Sequence, residues 1–208
     1  MKTTLNAQSS IKIESEKKIY FDPYLITKET HDADYIFITH EHYDHFDLDS
    51  INKVSNSNTL IILPDSMAIK VLYKLNRNNV RGVKPNEEYT IDGLHFSTIP
   101  SYNTNKEFHK KEFKWVGYLV DIEDKVIYVA GDTDITLENK EVKCDIAFLP
   151  IGGTYTMDYK EAAELSNIIK PSIVIPTHYK TIVGTDEDAN KFKELLDKQI
   201  DCQIIMEW

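Results

Sequence analysis

Tyr35-Ile36-Phe37-Ile38 runs straight into Thr39-His40-Glu41-His42-Tyr43-Asp44-His45, and this junction decides how the rest of the chain is read. The first four residues are all aromatic or β-branched, the pattern of a buried strand. The next seven hold three of the chain's seven histidines and one aspartate. Imidazole and carboxylate are the ligand types that borderline divalent ions such as zinc prefer, with manganese and iron as alternatives. Crowding four such groups onto the loop after a core strand packs nothing and costs stability. A metal site explains them better than a polar turn does.

The 208 residues suffice for one sizeable domain, taken as 1–208, and are too few for two comfortable ones. A hydrophobic share of 41% with 28% charged residues is that of a soluble globular protein. The formal net charge of −10 argues against a broad nucleic-acid-binding face, which needs clustered Lys and Arg. Lys106, Lys110, Lys111 and Lys114 do cluster, and read as a solvated loop. Cys144 and Cys202 stand far apart in no metal-binding spacing. Residues 1–16 hold no apolar core of signal-peptide length, and no apolar run nears the ~20 residues that span a bilayer. The expectation is a cytoplasmic location, no membrane partner and a small-molecule substrate.

Outward from the histidine loop, apolar patterning predicts strands at 11–14, 18–21, 60–63, 80–83, 89–91, 94–99, 115–122, 125–130, 146–149, 172–175 and 203–206. Helices are expected from the Asp47 cap to about 54, at 67–75 behind Asp65 or Ser66, at 159–169 behind Asp158, and at 187–199. Met67, Val71, Leu72 and Leu75 supply the apolar face of the second. Asp92-Gly93 is a tight hairpin signal. Several strands end where potential ligands begin: Asp132 in Gly131-Asp132-Thr133-Asp134, and His178 in Pro176-Thr177-His178-Tyr179. Layered α/β architectures place their sites at such strand ends. Asp22, before Pro23, is read equally as a turn former and as a carboxylate that fixes a histidine's tautomer.

The ordered set of Thr39–His45, Gly131–Asp134 and Pro176–Tyr179, together with Gly152-Gly153-Thr154-Tyr155-Thr156-Met157 and its following helix, resembles the metallo-β-lactamase superfamily in its short single-domain branch of metal-dependent hydrolases. The match runs nearly the whole length of the chain. The resemblance implies an α/β (α+β) fold, a four-layer αβ/βα sandwich of two mixed β-sheets with helices on the outer faces. It also implies two divalent metal ions, zinc first among them. His40 and His42 would hold one, Asp44, His45 and His178 the other, and Asp132 would bridge them. The implied activity is hydrolysis of a small ester, lactone, thioester, amide or phosphodiester by metal-activated water, with Asp44 as the catalytic carboxylate.

One departure stands out. The superfamily's third histidine for the first metal comes from the loop after strand 94–99, where this chain has Ser101-Tyr102-Asn103. His109, later in that loop, is the favoured third ligand or a substrate contact. Asn103, through its carbonyl oxygen, is the alternative and a substrate-side candidate. This gap motivates a second reading, a metal-binding protein without turnover; a phosphodiesterase is the other alternative. Thr154 and Tyr155 are further substrate-side candidates. Tyr102 and Tyr179 are read as oxyanion donors or as packing. His31 and His95 are assigned to the surface.

Overall fold

The computed structural model describes residues 1–75 and 79–207. Strands pair in sequence order into two sheets. The first runs β1 (Lys2–Leu5), β2 (Ile11–Glu14), β3 (Lys18–Phe21), β4 (Ala33–Phe37), β5 (Ser55–Pro64) and β6 (Val80–Val83). It is antiparallel from β1 to β3 and parallel from β3 to β6. The second contains β7 (Glu88–Ile91), β8 (Leu94–Pro100), β9 (Val116–Ile122), β10 (Lys125–Val129), β11 (Ile146–Pro150), β12 (Ile173–Thr177) and β13 (Asp201–Cys202). It is antiparallel from β7 to β10 and parallel from there on.

Successive residues of a strand face opposite sides, so a buried strand must feed two cores. In β4, Tyr35 and Phe37 join the core between the sheets, while Ala33 and Ile36 face outward. In β11, Ile146 and Phe148 point inward and Ala147 and Leu149 outward. The outward face of the first sheet is covered by α1 (Leu48–Val54) and α2 (Asp65–Leu75) through Ile51, Val54, Met67, Val71 and Leu75. That of the second is covered by α4 (Tyr159–Ile169) and α5 (Asp186–Glu194) through Ala162, Leu165, Ile169 and Phe192. Three separate apolar cores between four layers constitute the expected αβ/βα sandwich. The side chain of Leu72 lies outside the described residues.

Caps explain several boundaries. Asp47 accepts from the Asp49 and Ser50 amides, and Asp158 forms a reciprocal capping box with Glu161, both as expected. Asp65 is instead the first residue of α2 itself. The last helix is shorter than 187–199. It begins behind a Thr185–Asp188 capping box and ends at Glu194, where Asn167 takes up the Leu195 carbonyl and accepts from the Asp197 amide. The terminal strand sits at Asp201–Cys202 beside Ile173 and Val174, not at 203–206. Among the described residues three elements carry no apolar pattern and were not expected: edge strand β1, the single 3-10 turn Lys111–Phe113, and the one-turn helix α3 (Leu137–Lys140) behind a Thr136–Asn139 capping box. Among the described residues no helix is long and apolar enough to cross a membrane.

Candidate metal centre

The sheet topology brings the ligand-bearing loops to one rim. β3 and β4 run parallel, as do β10, β11 and β12; β8 lies two antiparallel steps from β10 and therefore points the same way. Asp22, the 39–45 loop, the 101–115 loop, Asp132, Gly152 and His178 thus all leave strands at one end. The two halves are tied there by the Val116 amide donating to Thr39 O (3.3 Å) and by the Tyr118 hydroxyl donating to Ile38 O (2.7 Å). Gly131 has φ +65°, and a β-carbon on it would come 3.0 Å from Thr39 Cβ, so no side chain fits beneath the histidine loop. A β-carbon on Gly152 would strike the His178 carbonyl oxygen.

Six expected ligands and His109 converge in two groups, His40/His42/His109/Asp132 and Asp44/His45/His178. Within each, one ligand atom per residue lies within 4.8 Å of the others. Asp132 faces both groups. Its Oδ2 is 3.3 Å from His109 Nε2 and 3.1 Å from His178 Nε2, and its Oδ1 is 3.3 Å from His45 Nε2. Asp44 Oδ2 lies 3.6 Å from His45 Nε2 and 3.4 Å from His178 Nε2.

Neighbouring groups fix the tautomers of His40, His45 and His109, because the second nitrogen of each meets an atom of known role, whereas His178 Nδ1 is buried without a partner. Asp22 Oδ2 can only accept, so His45 Nδ1 donates to it at 2.7 Å and presents Nε2. Thr39 Oγ1 gives its proton to Asp22 (2.6 Å) and accepts from His40 Nδ1 (2.9 Å). Asn103 Oδ1 takes both the amide and Nδ1–H of His109, leaving that Nε2 free as well. His42 turns Nδ1 to within 3.1 Å of His40 Nε2. The Nε2 atoms of His45 and His109 and Oδ1 of Asp132 are buried without a hydrogen-bond partner. Orphaned buried polar atoms are expensive, and divalent cations in the two groups would satisfy them, His109 Nε2 in one, His45 Nε2 in the other and Asp132 Oδ1 between them. The donor set of imidazoles and carboxylates fits such an ion.

Electrostatics agree. Burial would raise Asp132, but the imidazoles of His178 and His45 hold it well below the usual carboxylate range. Burial also opposes the charged form of Asp44, yet a hydrogen bond with His178 and the nearness of His45 bring it down to about 2. His178 is driven the other way, to about 9, because Asp132 and Asp44 outweigh its burial. The carboxylates therefore draw positive charge into the rim. His40 and His42, desolvated and crowded by other imidazoles, are shifted down and stay neutral.

The long loop between β8 and β9 explains how His109 arrives. Asp134, 2% exposed at its side chain, accepts from Lys106 Nζ (2.6 Å), the Thr104 amide (2.8 Å) and Asn103 Nδ2 (3.2 Å). Asn103 Nδ2 also donates to Tyr155 O (2.9 Å). Both ends of the Asn103 amide are therefore spent on the loop, and its carbonyl oxygen serves His109, neither a metal nor a substrate. The lysine cluster is largely solvent-exposed, as expected of a solvated loop, with Lys106, Lys110 and Lys111 paired to Asp134, Glu107 and Glu138. Thr154 is exposed and off the cavity, whereas Tyr155 lines it. Tyr179 is buried in the helix-side core and Tyr102 donates to Glu138, so neither faces the site. His95 pairs with Asp121 at the surface, and the exposed His31 packs its Nδ1 against Ser55 O.

Four supporting residues went unrecognised. Thr39 lies within the histidine loop, but a hydroxyl is not among the expected ligand types and so carries no signal of its role. Asp134 carried no signal beyond its place in Gly131–Asp134. Gln8 is fully buried, with Nε2 3.4 Å from Asp44 Oδ2 and Oε1 accepting from Thr181 (2.6 Å). Trp115 lies against His40 and His42, ring centroids 4.9 Å away in each case. Neither Gln8 nor Trp115 sits beside another ligand type in sequence, so nothing local marked them. A cavity of about 250 Å³ opens over the two groups, with Asp44, Asp132, His109 and His178 exposed to it.

Residues 4–178 match the family model of the beta-lactamase superfamily domain. The chain belongs to the metallo-β-lactamase superfamily. Within this superfamily it is 32% identical over 205 residues to a UPF0173 metal-dependent hydrolase of Thermococcus kodakarensis, covering 93% of this chain and 91% of the relative. A crystal structure from Parabacteroides distasonis, of a protein taken to be a metal-dependent hydrolase, superposes with a TM-score of 0.82 at 30% identity and covers 98% of this chain and 91% of that one. The isothiocyanate hydrolase from Delia radicum gut bacteria shares the superfamily fold at 19% identity, with a TM-score of 0.77 and coverage of 100% and 98%.

Proposed function

We propose that this protein is a metal-dependent hydrolase with a dinuclear centre, zinc being the first choice of ion, that uses Asp44 as its proton acceptor. The observation that carries the reading is Asp132, whose two oxygens face both ligand groups while imidazoles from two loops and a strand end complete each. His40, His42 and His109 would hold one ion, and Asp44, His45 and His178 the other. When bound, such a pair lowers the pKa of coordinated water toward ~7 and polarises the oxygen of the group under attack.

The chain's own residues supply the rest. Asp44 is open to the cavity and held ionised, so it can take a proton from the attacking water and pass it to the leaving group. Gln8 Nε2 donates to Asp44 Oδ2 (3.4 Å), the oxygen that also faces His45 and His178, and its backbone carbonyl accepts from the His178 amide (2.9 Å). Trp115 and the Asn103-held loop shield His40 and His42 from water, which strengthens every charge interaction inside. The superfamily's relatives named above as metal-dependent hydrolases support the same reaction type. A metal-binding protein without turnover was motivated by the missing third histidine, and the position of His109 removes that motive. Purified protein titrated with zinc, manganese and iron(II) should take up two equivalents and show chelator-sensitive turnover on a panel of esters, lactones, amides and phosphodiesters. One loose equivalent with no turnover would sink the proposal.

A further inference from the structure

The rim of the cavity is apolar and carries no cation of its own. Tyr43, Phe108 and Ile182 are 66%, 46% and 37% exposed, large hydrophobic surfaces that face solvent at the mouth of an otherwise polar site. Phe108 meets Tyr155 edge to face at 4.8 Å, forming one aromatic wall. Among the described residues no Lys or Arg lines the cavity. The basic side chains nearest in sequence are each engaged elsewhere: Lys106 with Asp134, Lys110 with Glu107, Lys111 with Glu138 and Lys180 with Asp186. Recognition of a phosphate or carboxylate away from the reacting atoms would need such a group, because an anion desolvated against Phe108 and Tyr155 has no partner.

Resting on the hydrolase reading, we infer that the substrate is a neutral acyl compound, an ester, lactone or amide, whose apolar substituent seats among Tyr43, Phe108, Tyr155 and Ile182. At about 250 Å³ the cavity falls below the usual range for drug-sized ligands, so the part of the compound that enters it is small. In the reaction the acyl carbon's bond to the leaving oxygen or nitrogen breaks and water's oxygen takes its place. One water proton passes through Asp44 to the leaving group, giving an acid and an alcohol or amine.

The test uses the full chain loaded with zinc and two γ-lactones, one with a hexyl chain and one whose chain ends in a carboxylate. The neutral lactone should be turned over with kcat/KM about tenfold higher or more, the discrimination a hydrophobic pocket gives for a small change in its occupant. Ile182→Lys, at an exposed position, should raise kcat/KM for the carboxylated lactone and lower it for the neutral one. Independently of turnover, calorimetric binding of 4-phenylbutyramide should weaken about tenfold in Phe108→Ala at unchanged metal content. Preference for the carboxylated lactone or for bis(4-nitrophenyl) phosphate, with the hydrolase active, overturns the substrate class and leaves the hydrolase reading standing. Failure of every compound to react, with the amide still binding through Phe108, overturns the hydrolase reading and leaves the apolar seat standing. Amide binding indifferent to Phe108 overturns the seat.

Discussion

Asp134→Asn separates the two ligand groups experimentally, because Asp134 touches neither and yet holds the loop that brings His109. The substitution keeps the side chain's size and removes its charge. Lys106, 17% exposed, then loses a 2.6 Å charged partner, and the new amide nitrogen must face either Lys106 Nζ and Asn103 Nδ2, which share Oδ1, or the Thr104 amide at Oδ2, donor against donor in both cases. A hydrogen bond to a charged group contributes about 1.5–3 kcal/mol, and breaking a buried ion pair from one side costs roughly 3–5 kcal/mol. The partial exposure of Lys106 puts the loss near the lower figures, about 2–3 kcal/mol. That free energy falls on the docking of the 103–109 loop. If it passes wholly into ligand geometry, affinity at the His40/His42/His109 group drops by roughly 30- to 140-fold. The Asp44/His45/His178 group should not change. Competition titration with a chelator of known affinity, or cobalt(II) absorption bands followed equivalent by equivalent, resolves the two. Adding Lys106→Met to the Asp134→Asn variant removes the stranded cation and should recover part of the loss. Equal weakening of both equivalents, or of neither, would refute the latch.

Three further outcomes follow from the same geometry. Asp22→Ala should weaken metal binding at the Asp44/His45/His178 group by about 10- to 100-fold, since the imidazole of His45 loses the partner that fixes its tautomer, and isothermal titration reads this directly. Asp44→Asn should cut turnover by about 10²-fold or more, with the equivalent bound by His40, His42 and His109 retained, which metal analysis beside kinetics will verify. Away from the site, hydrogen bonds from Thr30, Tyr20, Lys18 and Lys12 overcome burial and hold Asp32 well below its ordinary value. Because its folded pKa is depressed, its stabilisation is complete above the unfolded value of ~3.9 and is lost as pH falls through the folded one. Asp32→Asn should therefore lower Tm by about 2–4 °C at pH 7, roughly 1 kcal/mol after solvent screening, and the gap should close below about pH 4.

Most of the sandwich was legible because its strands are buried on both faces. Ile36, Phe37, Phe148 and Leu149 belong to near-continuous apolar runs whichever core they enter. Polar edges were illegible for the converse reason. β1 buries only Leu5 fully, and the first residues of β5, Ser55 to Asn58, offer backbone pairing without apolar side chains. The site divides along a similar line. Ligands cluster by type and betray themselves, as 40–45 does. Residues that act through a ligand do so by position alone: Gln8 reaches Asp44 across 36 positions and Asp134 reaches Asn103 across 31. Three-dimensional neighbours at that separation leave no local trace.

Asp22 shows why its two sequence readings could not be separated and why both hold. It is a turn residue: φ is +43°, in the left-handed region where a non-glycine residue costs about 1–2 kcal/mol. It is also the fully buried carboxylate that accepts from Thr39 N, Thr39 Oγ1 and His45 Nδ1. His178 repeats the pattern at φ +54°. Glycine would relieve the backbone at both places, and at both the chain carries a side chain that only the site uses. Positive φ also occurs at nine other non-glycine residues among the described ones, Leu25, Glu123 and Lys170 among them, so the backbone alone does not single these two out; the convergence of their side chains on one ligand group does. It follows if the turns exist to aim Asp22 at His45 and His178 at Asp132. Asp22→Gly should then leave the fold close to wild-type stability, with the relief of strain offsetting part of the lost hydrogen bonds, while the affinity of that group for metal falls. Equal loss of stability and of metal affinity would mean that Asp22 serves the fold first.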